Sequence, residues 1–171
     1  MRAARSRRTG TAIAFVDHQI GVGRSPAPLI HYRGADVLDT LHGLRKEEGD
    51  PHEGIKVDFV NPVTGEPVFK TLNYSAQLLR PGEKTELKRE TAGTFHVVIE
   101  GSGATEVGGK RFEWARNDIF VVPNFIWRRH INTGKSDAVI YSVSDAALMR
   151  NIGQYYAQGR SEDGKVTELV H

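Results

Sequence analysis

From residue 55 to residue 143 the chain reads as a succession of short β-rich runs punctuated by glycine and proline. This pattern constrains the fold more than any other feature. Short strands with Gly/Pro turns bury their apolar faces by closing into a sandwich or a barrel. Ile55, Val57 and Phe59 alternate with Lys56, Asp58 and Val60, and Asn61-Pro62 and Thr64-Gly65 mark turns. Leu72, Tyr74, Ala76 and Leu78 alternate with more polar neighbours up to Pro81-Gly82. The run 95–99 closes at Gly101-Ser102-Gly103. The runs 105–107 and 111–114 flank Gly108-Gly109, a hairpin signal. Residues 119–122 read as a buried strand ending at Pro123, and the runs 126–132 and 138–143 follow, separated by Thr133-Gly134-Lys135.

The flanks read differently. Val37, Leu38, Leu41 and Leu44 form one apolar stripe at helical spacing, with Gly34 before it and Gly49-Asp50-Pro51 after it. Residues 1–33 show no sustained periodicity, and Gly21, Gly23, Ser25, Pro26 and Pro28 give them the character of an extension or linker. Asp145 is placed to cap a short helix running to about Ile152. The sequence after Gly153 is polar. The expected organisation is an extension over 1–33, a single domain over 34–157 and a loose tail over 158–171.

Composition narrows the function classes. A chain of 171 residues suits one domain, and its 39% hydrophobic and 26% charged residues are ordinary for a globular protein. There is no cysteine, so disulfides, zinc-thiolate sites and cysteine nucleophiles are excluded. The net charge is +2, with Arg2, Arg5, Arg7 and Arg8 clustered before the first acid, Asp17. That cluster lacks interleaved aromatics, so no nucleic-acid partner is expected. No apolar run approaches the ~18 residues of a membrane span, so no membrane partner is expected either. Arg7-Arg8 precede the apolar stretch Ala12-Ile13-Ala14-Phe15-Val16, which is shorter than the roughly 7–15 residues of a signal core. A cytoplasmic protein is expected.

Two segments have the spacing of the cupin motifs. The first runs from Gly82 through Lys88, Glu90 and Thr94 to Gly101, and the second from Asn117 through Pro123, Phe125 and Arg128 to Asn132. The chain resembles that family, which implies an all-β jelly-roll barrel, here with a short N-terminal helix. Metal-binding cupins carry His, His and Glu at the positions of Lys88, Glu90 and Thr94. At the second motif they carry Gly, Pro, Gly, His and Asn. Pro123 and Asn132 are kept, Asn117 and Phe125 stand in for the glycines, and Arg128 stands in for the ligand histidine. The resemblance narrows with Asn61-Pro62-Val63-Thr64-Gly65-Glu66-Pro67, Leu78-Leu79-Arg80-Pro81-Gly82, Glu100-Gly101-Ser102-Gly103, Phe112-Glu113-Trp114, the run 118–123 and the run 137–145. In that order they look like the C-terminal half of gentisate 1,2-dioxygenase and its salicylate and 1-hydroxy-2-naphthoate relatives. Those enzymes are bicupins with iron in the N-terminal cupin and a C-terminal cupin often short of ligands. The resemblance covers about residues 26–157, makes the first 25 residues inter-cupin linker and leaves no complete first cupin.

The substituted site has its own chemistry. Ring cleavage in this family needs Fe(II) held by imidazole or carboxylate with open positions. Lys88 and Arg128 carry donors and no lone pair to give, Thr94 is a poor ligand, and only Glu90 suits a metal. A salt-bridged plug of Lys88, Arg128 and Glu90 is the first expectation, with no metal, no cofactor and no assigned catalytic residue. Counted over those three residues, one positive charge remains, which makes a metal-free pocket for an aromatic carboxylate the second. His96 and His130 lie two residues beyond Thr94 and Arg128, so both are expected to face the interior. With Glu90 they compose a third possibility, a displaced Fe(II) site. Trp114 and Trp127 read as packing residues, and Arg89 and Arg129 as outward-facing. Phe95, Val97 and Ile99 oppose Thr94, His96 and Val98, so the strand is apolar on both faces and its outer face needs cover. A homodimer or larger homo-oligomer is therefore expected. The functional expectation is an accessory or non-catalytic cupin of the gentisate-dioxygenase class. The alternatives are a ring-cleaving dioxygenase, with displaced iron or with a separate iron-bearing cupin chain as partner, and an aromatic-carboxylate binding module.

Overall fold

The computed structural model describes residues 31–62 and 64–170. The arginine cluster and all but the last three residues of the expected 1–33 linker lie outside them. Helix α1 spans Gly34–Gly43 and runs into a 3-10 turn at Leu44–Lys46. Eleven strands follow: β1 Ile55–Asp58, β2 Asn73–Leu79, β3 Leu87–Glu90, β4 Thr94–Glu100, β5 Ser102–Val107, β6 Lys110–Ala115, β7 Ile119–Val122, β8 Arg128–Asn132, β9 Ala138–Ser144, β10 Ala157–Arg160 and β11 Val166–Glu168. A second short helix, α2, occupies Ala146–Asn151 between β9 and β10. Among the described residues no helix is long and apolar enough to cross a membrane.

The strands form two antiparallel sheets. One has the order β1-β2-β9-β4-β7 and the other β11-β10-β3-β8-β5-β6. Strand periodicity explains the two layers of core. Leu78 and Val139 turn to one face and pack with Leu41, Ile55 and Ala76 under α1. Their chain neighbours Leu79 and Ile140 turn to the other face and pack with Val98, Trp114 and Ala138 between the sheets. Burying each such leucine contributes roughly 1.5–3 kcal/mol. Gly108 and Gly109 both have positive φ, 56° and 82°, as the two-residue hairpin joining β5 to β6 requires.

Three local expectations differ from the structure. Residues 119–122 form a strand, but an edge strand: Ile119 and Val121 are each 61% exposed, and only Val122 is buried. An apolar run does not reveal whether a neighbouring sheet covers it. Asp145 sits before α2 without capping it by its side chain; its Oδ1 accepts from the Gly93 N–H at 2.9 Å instead, while Ser144 Oγ accepts from Ala146 N–H at 3.3 Å. The stretch after Gly153 is not loose throughout, since β10 pairs with β3, Gly159 opposite Lys88, and β11 pairs with β10. Its inward residues are Ala157 and Gly159, both buried and too small to produce an apolar rhythm. A Cβ on Gly159 would lie 2.3 Å from His52 Nε2, so the close approach needs glycine. Strand β3 has no apolar alternation either, because its inward side chains are Lys88 and Glu90.

Candidate functional site

The site forms where β3, β4 and β8 face the barrel interior. Register places Lys88 of β3 opposite Arg128 of β8. The period of two then brings Glu90 to the same face as Lys88, His130 to that of Arg128, and Thr94 and His96 into the interior from β4. Lys88, Arg128, His96 and His130 are 2%, 3%, 2% and 0% exposed.

A further residue enters from a loop. Asp50 Oδ1 accepts hydrogen bonds from the backbone N–H of His52 at 2.8 Å and of Glu53 at 3.0 Å, and Gly54 takes φ +68°. This turn drives the Glu53 side chain into the barrel, where it is buried. Lys88 Nζ donates to Glu53 Oε1 at 2.6 Å, and Arg128 Nη2 donates to both Glu53 oxygens at 3.1 and 3.2 Å. Glu90 Oε1 lies 3.3 Å from Lys88 Nζ and 3.4 Å from Arg128 Nη2. Tyr155 donates its hydroxyl to Glu90 Oε2 at 2.8 Å, and Lys56 Nζ reaches Glu53 Oε1 at 3.2 Å from the rim. Burial alone would raise the Glu53 carboxyl. The charges of Arg128, Lys56 and Lys88 outweigh it and hold the group well below its ordinary range. Glu90 is also lowered: burial raises it, and Lys88 and Arg128 overcome that.

His96 and His130 lie with their ring centroids 5.1 Å apart, and of the two only His96 lines the adjoining cavity. Burial, reinforced by the Arg128 charge, pushes His96 down to about 3 and His130 well below its usual range, so both are neutral. His96 Nδ1 is 2.8 Å from Ser142 Oγ and His130 Nδ1 is 2.8 Å from Thr105 Oγ1, which also accepts from Trp114 Nε1 at 2.9 Å. Both Nε2 atoms, and Arg128 Nη1, are buried without a partner. Glu90 does not join the histidines as a donor set: among the described residues no group of three or more His, Asp or Glu is placed to hold a metal ion. The iron implied by the resemblance does not fit the ligand positions, because Lys88 and Arg128 have no lone pair to give and both bond the neighbouring carboxylates, Glu53 and Glu90.

A cavity of about 230 Å³ adjoins this network. Thr94, His96, Ser142 and Tyr155 are in its wall. Its lining holds four acids, Asp50, Glu53, Asp58 and Glu90, and four bases, Lys56, Lys88, Arg128 and Arg150. The positive charge expected to remain is therefore balanced. Glu53 was invisible in the sequence because a loop residue has no periodic signal; the turn-forming Asp50 and Gly54 around it were the one local hint.

The outward residues behave consistently. Arg89 lies over the rings of Phe125 and Trp127 at 4.4 and 4.5 Å, and Arg129 Nε donates to Glu106 at 2.7 Å. Trp114 is core. Asn117 and Phe125, the two positions where cupin motifs have glycine, are the non-glycine residues with positive φ among the described residues, 73° and 55°. Asn132 is 1% exposed and clamps its turn, donating to Leu79 and Ser136 carbonyls at 2.8 Å each and accepting from Gly134 N–H at 2.8 Å.

The paired antiparallel sheets and the site between them define a cupin domain, and the cupin domain family model matches residues 76–144. The chain is a cupin related to the gentisate, salicylate and hydroxynaphthoate dioxygenases. It is 38% identical over 141 residues to a 5-aminosalicylate 1,2-dioxygenase of Comamonas, covering 81% of this chain and 37% of that one. It is 34% identical over 128 residues to gentisate 1,2-dioxygenase 1 of Aquipseudomonas alcaligenes, covering 74% and 36%. The crystal structure of salicylate 1,2-dioxygenase from Pseudaminobacter salicylatoxidans superimposes with a TM-score of 0.68 at 26% identity, over 75% of this chain and 38% of that one. The chain thus spans little more than a third of these relatives' length.

Proposed function

We propose that this cupin is accessory to, and not itself the seat of, ring-cleaving chemistry, its metal position being filled by a buried ion-pair plug. The observation that carries this reading is Glu53, which accepts from both Lys88 and Arg128 and completes a neutral quartet with Glu90. A buried quartet of this kind is near neutral in net stability, yet removing one member strands the others. It needs no cofactor, and a cytoplasmic location belongs to the same reading. Iron reconstitution of the full chain followed by elemental analysis tests it. The expected result is far less than one iron per chain; about one tightly held iron per chain would overturn it.

The alternative of an anion pocket for an aromatic carboxylate is weakened by the balanced charge. On the plug reading, Arg128→Met lowers the melting temperature, and gentisate produces no heat of binding in the wild type. Saturable heat with gentisate, abolished by Arg128→Met at little change in melting temperature, would favour the carboxylate module.

One observation favours assembly with a partner. The outer face of β4 and β7 carries Phe95, Ile99, Ile119 and Val121, 39%, 36%, 61% and 61% exposed. A second copy of this chain, giving a homodimer or larger symmetric oligomer, is the proposed cover; an iron-bearing cupin chain is the heterologous counterpart. Co-expression with such a chain and assay of gentisate cleavage distinguishes them.

A further inference from the structure

The plug does not use all the polar groups that converge on it. Arg128 commits Nη2 to Glu53 and Glu90, while its Nη1 is buried without a partner. His96 commits Nδ1 to Ser142, while its Nε2 is buried without a partner. Both residues are at least 97% buried, and both line the 230 Å³ cavity. A buried polar group left unsatisfied costs about 1–3 kcal/mol, and both of these atoms belong to residues that line one cavity, which points to something that binds there. The cavity also reaches the surface: Lys56, Asp58 and Arg150 on its lining are exposed.

We propose that this cavity is a metal-independent binding site for an uncharged polyhydroxylated ligand of monosaccharide or cyclitol size. Charge comes first. Four acids face four bases across the lining, so an anion gains no net attraction and unbalances a settled network. Hydrogen-bond character comes second. The wall presents a guanidinium donor at Arg128, a neutral ring nitrogen at His96, and the hydroxyls of Ser75, Ser142 and Ser144. A ligand hydroxyl both donates and accepts, so it satisfies His96 Nε2 in either tautomer, whereas a carboxylate only accepts. The third consideration is how little aliphatic surface the wall offers. Ala146 is the only aliphatic residue in the lining, among the described residues, and the Tyr155 ring is covered on one face by Arg150, so an aromatic ligand would find little to pack against. Sites for drug-sized apolar ligands are mostly hydrophobic and roughly 300–1,000 Å³ in volume; this one is smaller and polar. Depth separates the roles: Arg128 and His96 hold the buried end, and Arg150, stacked 4.4 Å over the Tyr155 ring, stands at the mouth.

This inference rests on the metal-free reading of the site. The test is an NMR titration of the full-length chain, in chelator, with myo-inositol and D-glucose, and with gentisate in parallel. Saturable shifts with at least one polyol, centred on His96, Ser142 and Arg150, are expected, with none for gentisate. His96→Phe removes the buried nitrogen and should weaken binding about ten-fold or more. Arg150→Met, at an exposed position whose loss cannot unfold the barrel, should weaken it several-fold. Failure of both polyols to give saturable shifts overturns the inference and leaves the metal-free reading standing. So does saturation by gentisate alone, or polyol binding indifferent to both substitutions. Polyol binding that requires added iron overturns both.

Discussion

Glu53 Oε1 and Lys88 Nζ lie 2.6 Å apart, with side chains 8% and 3% exposed. Glu53 belongs to a loop and Lys88 to a strand 35 residues later. Glu53→Gln leaves two buried cations sharing Glu90, so it should lower stability by about 3–5 kcal/mol. Replacing Glu53, Lys88, Glu90 and Arg128 together by apolar residues of similar volume should be near neutral or stabilising by the same reasoning. Urea unfolding of both variants checks this, and a single substitution without measurable cost would contradict the network.

Acid should unfold the protein in a defined window. His96 is held neutral down to about pH 3 and His130 is held well below its ordinary range, while an unfolded histidine titrates at the ordinary 6.5. Depressed folded values mean the unfolded state binds more protons, so stability is full above pH 6.5 and falls as pH drops toward 3. Each histidine contributes a slope of about 1.4 kcal/mol per pH unit there. Glu53 and Glu90, also depressed, steepen the loss below the ordinary carboxylate value of 4.5. Denaturant midpoints at several pH values between 7.5 and 4 measure it; a flat profile would show that these imidazoles are not buried neutral.

The apolar outer face gives a test of assembly. Phe95 lies opposite Val121, and Val97 opposite Ile119, in the register of β4 and β7. Light scattering at micromolar concentration should find a dimer or larger species, and Val121→Glu should shift it to monomer without loss of β-sheet circular dichroism. A wild type that is strictly monomeric would leave this face without the proposed partner.

Backbone conformation can be probed apart from packing at Asn117, which is exposed and has φ 73°. Asn117→Gly should keep or slightly raise stability, whereas Asn117→Val should cost about 1–2 kcal/mol through its Cβ. Phe125, at φ 55°, is held instead by the Arg89 guanidinium and by Tyr156, its ring centroid 6.2 Å away. Thermal unfolding of the Asn117 pair reads the difference.

The residues that carry a local rhythm were legible in the sequence. The stripe of Val37, Leu38 and Leu41, the hairpin at Gly108-Gly109 and the alternation through Thr94, His96 and Val98 each encode a period, a turn or a face, and the structure has them there. Motif spacing likewise identified Lys88, Glu90 and Arg128, and their opposite charges implied that they would pair. Glu53 was not legible, because its position depends on a loop turn and on burial against strands distant in the chain. Strand β10 was not legible, because Ala157 and Gly159 make their contacts through backbone and close approach. The exposure of Ile119 and Val121 was not either, since a strand's composition does not say whether it lies at an edge. Sequence alone determined which residues alternate, where the chain turns and which residue types stand at the spacing of the cupin motif positions. Tertiary structure decided which charges meet, because the field at a buried group is set by everything brought within a few ångströms of it, whatever the separation along the chain.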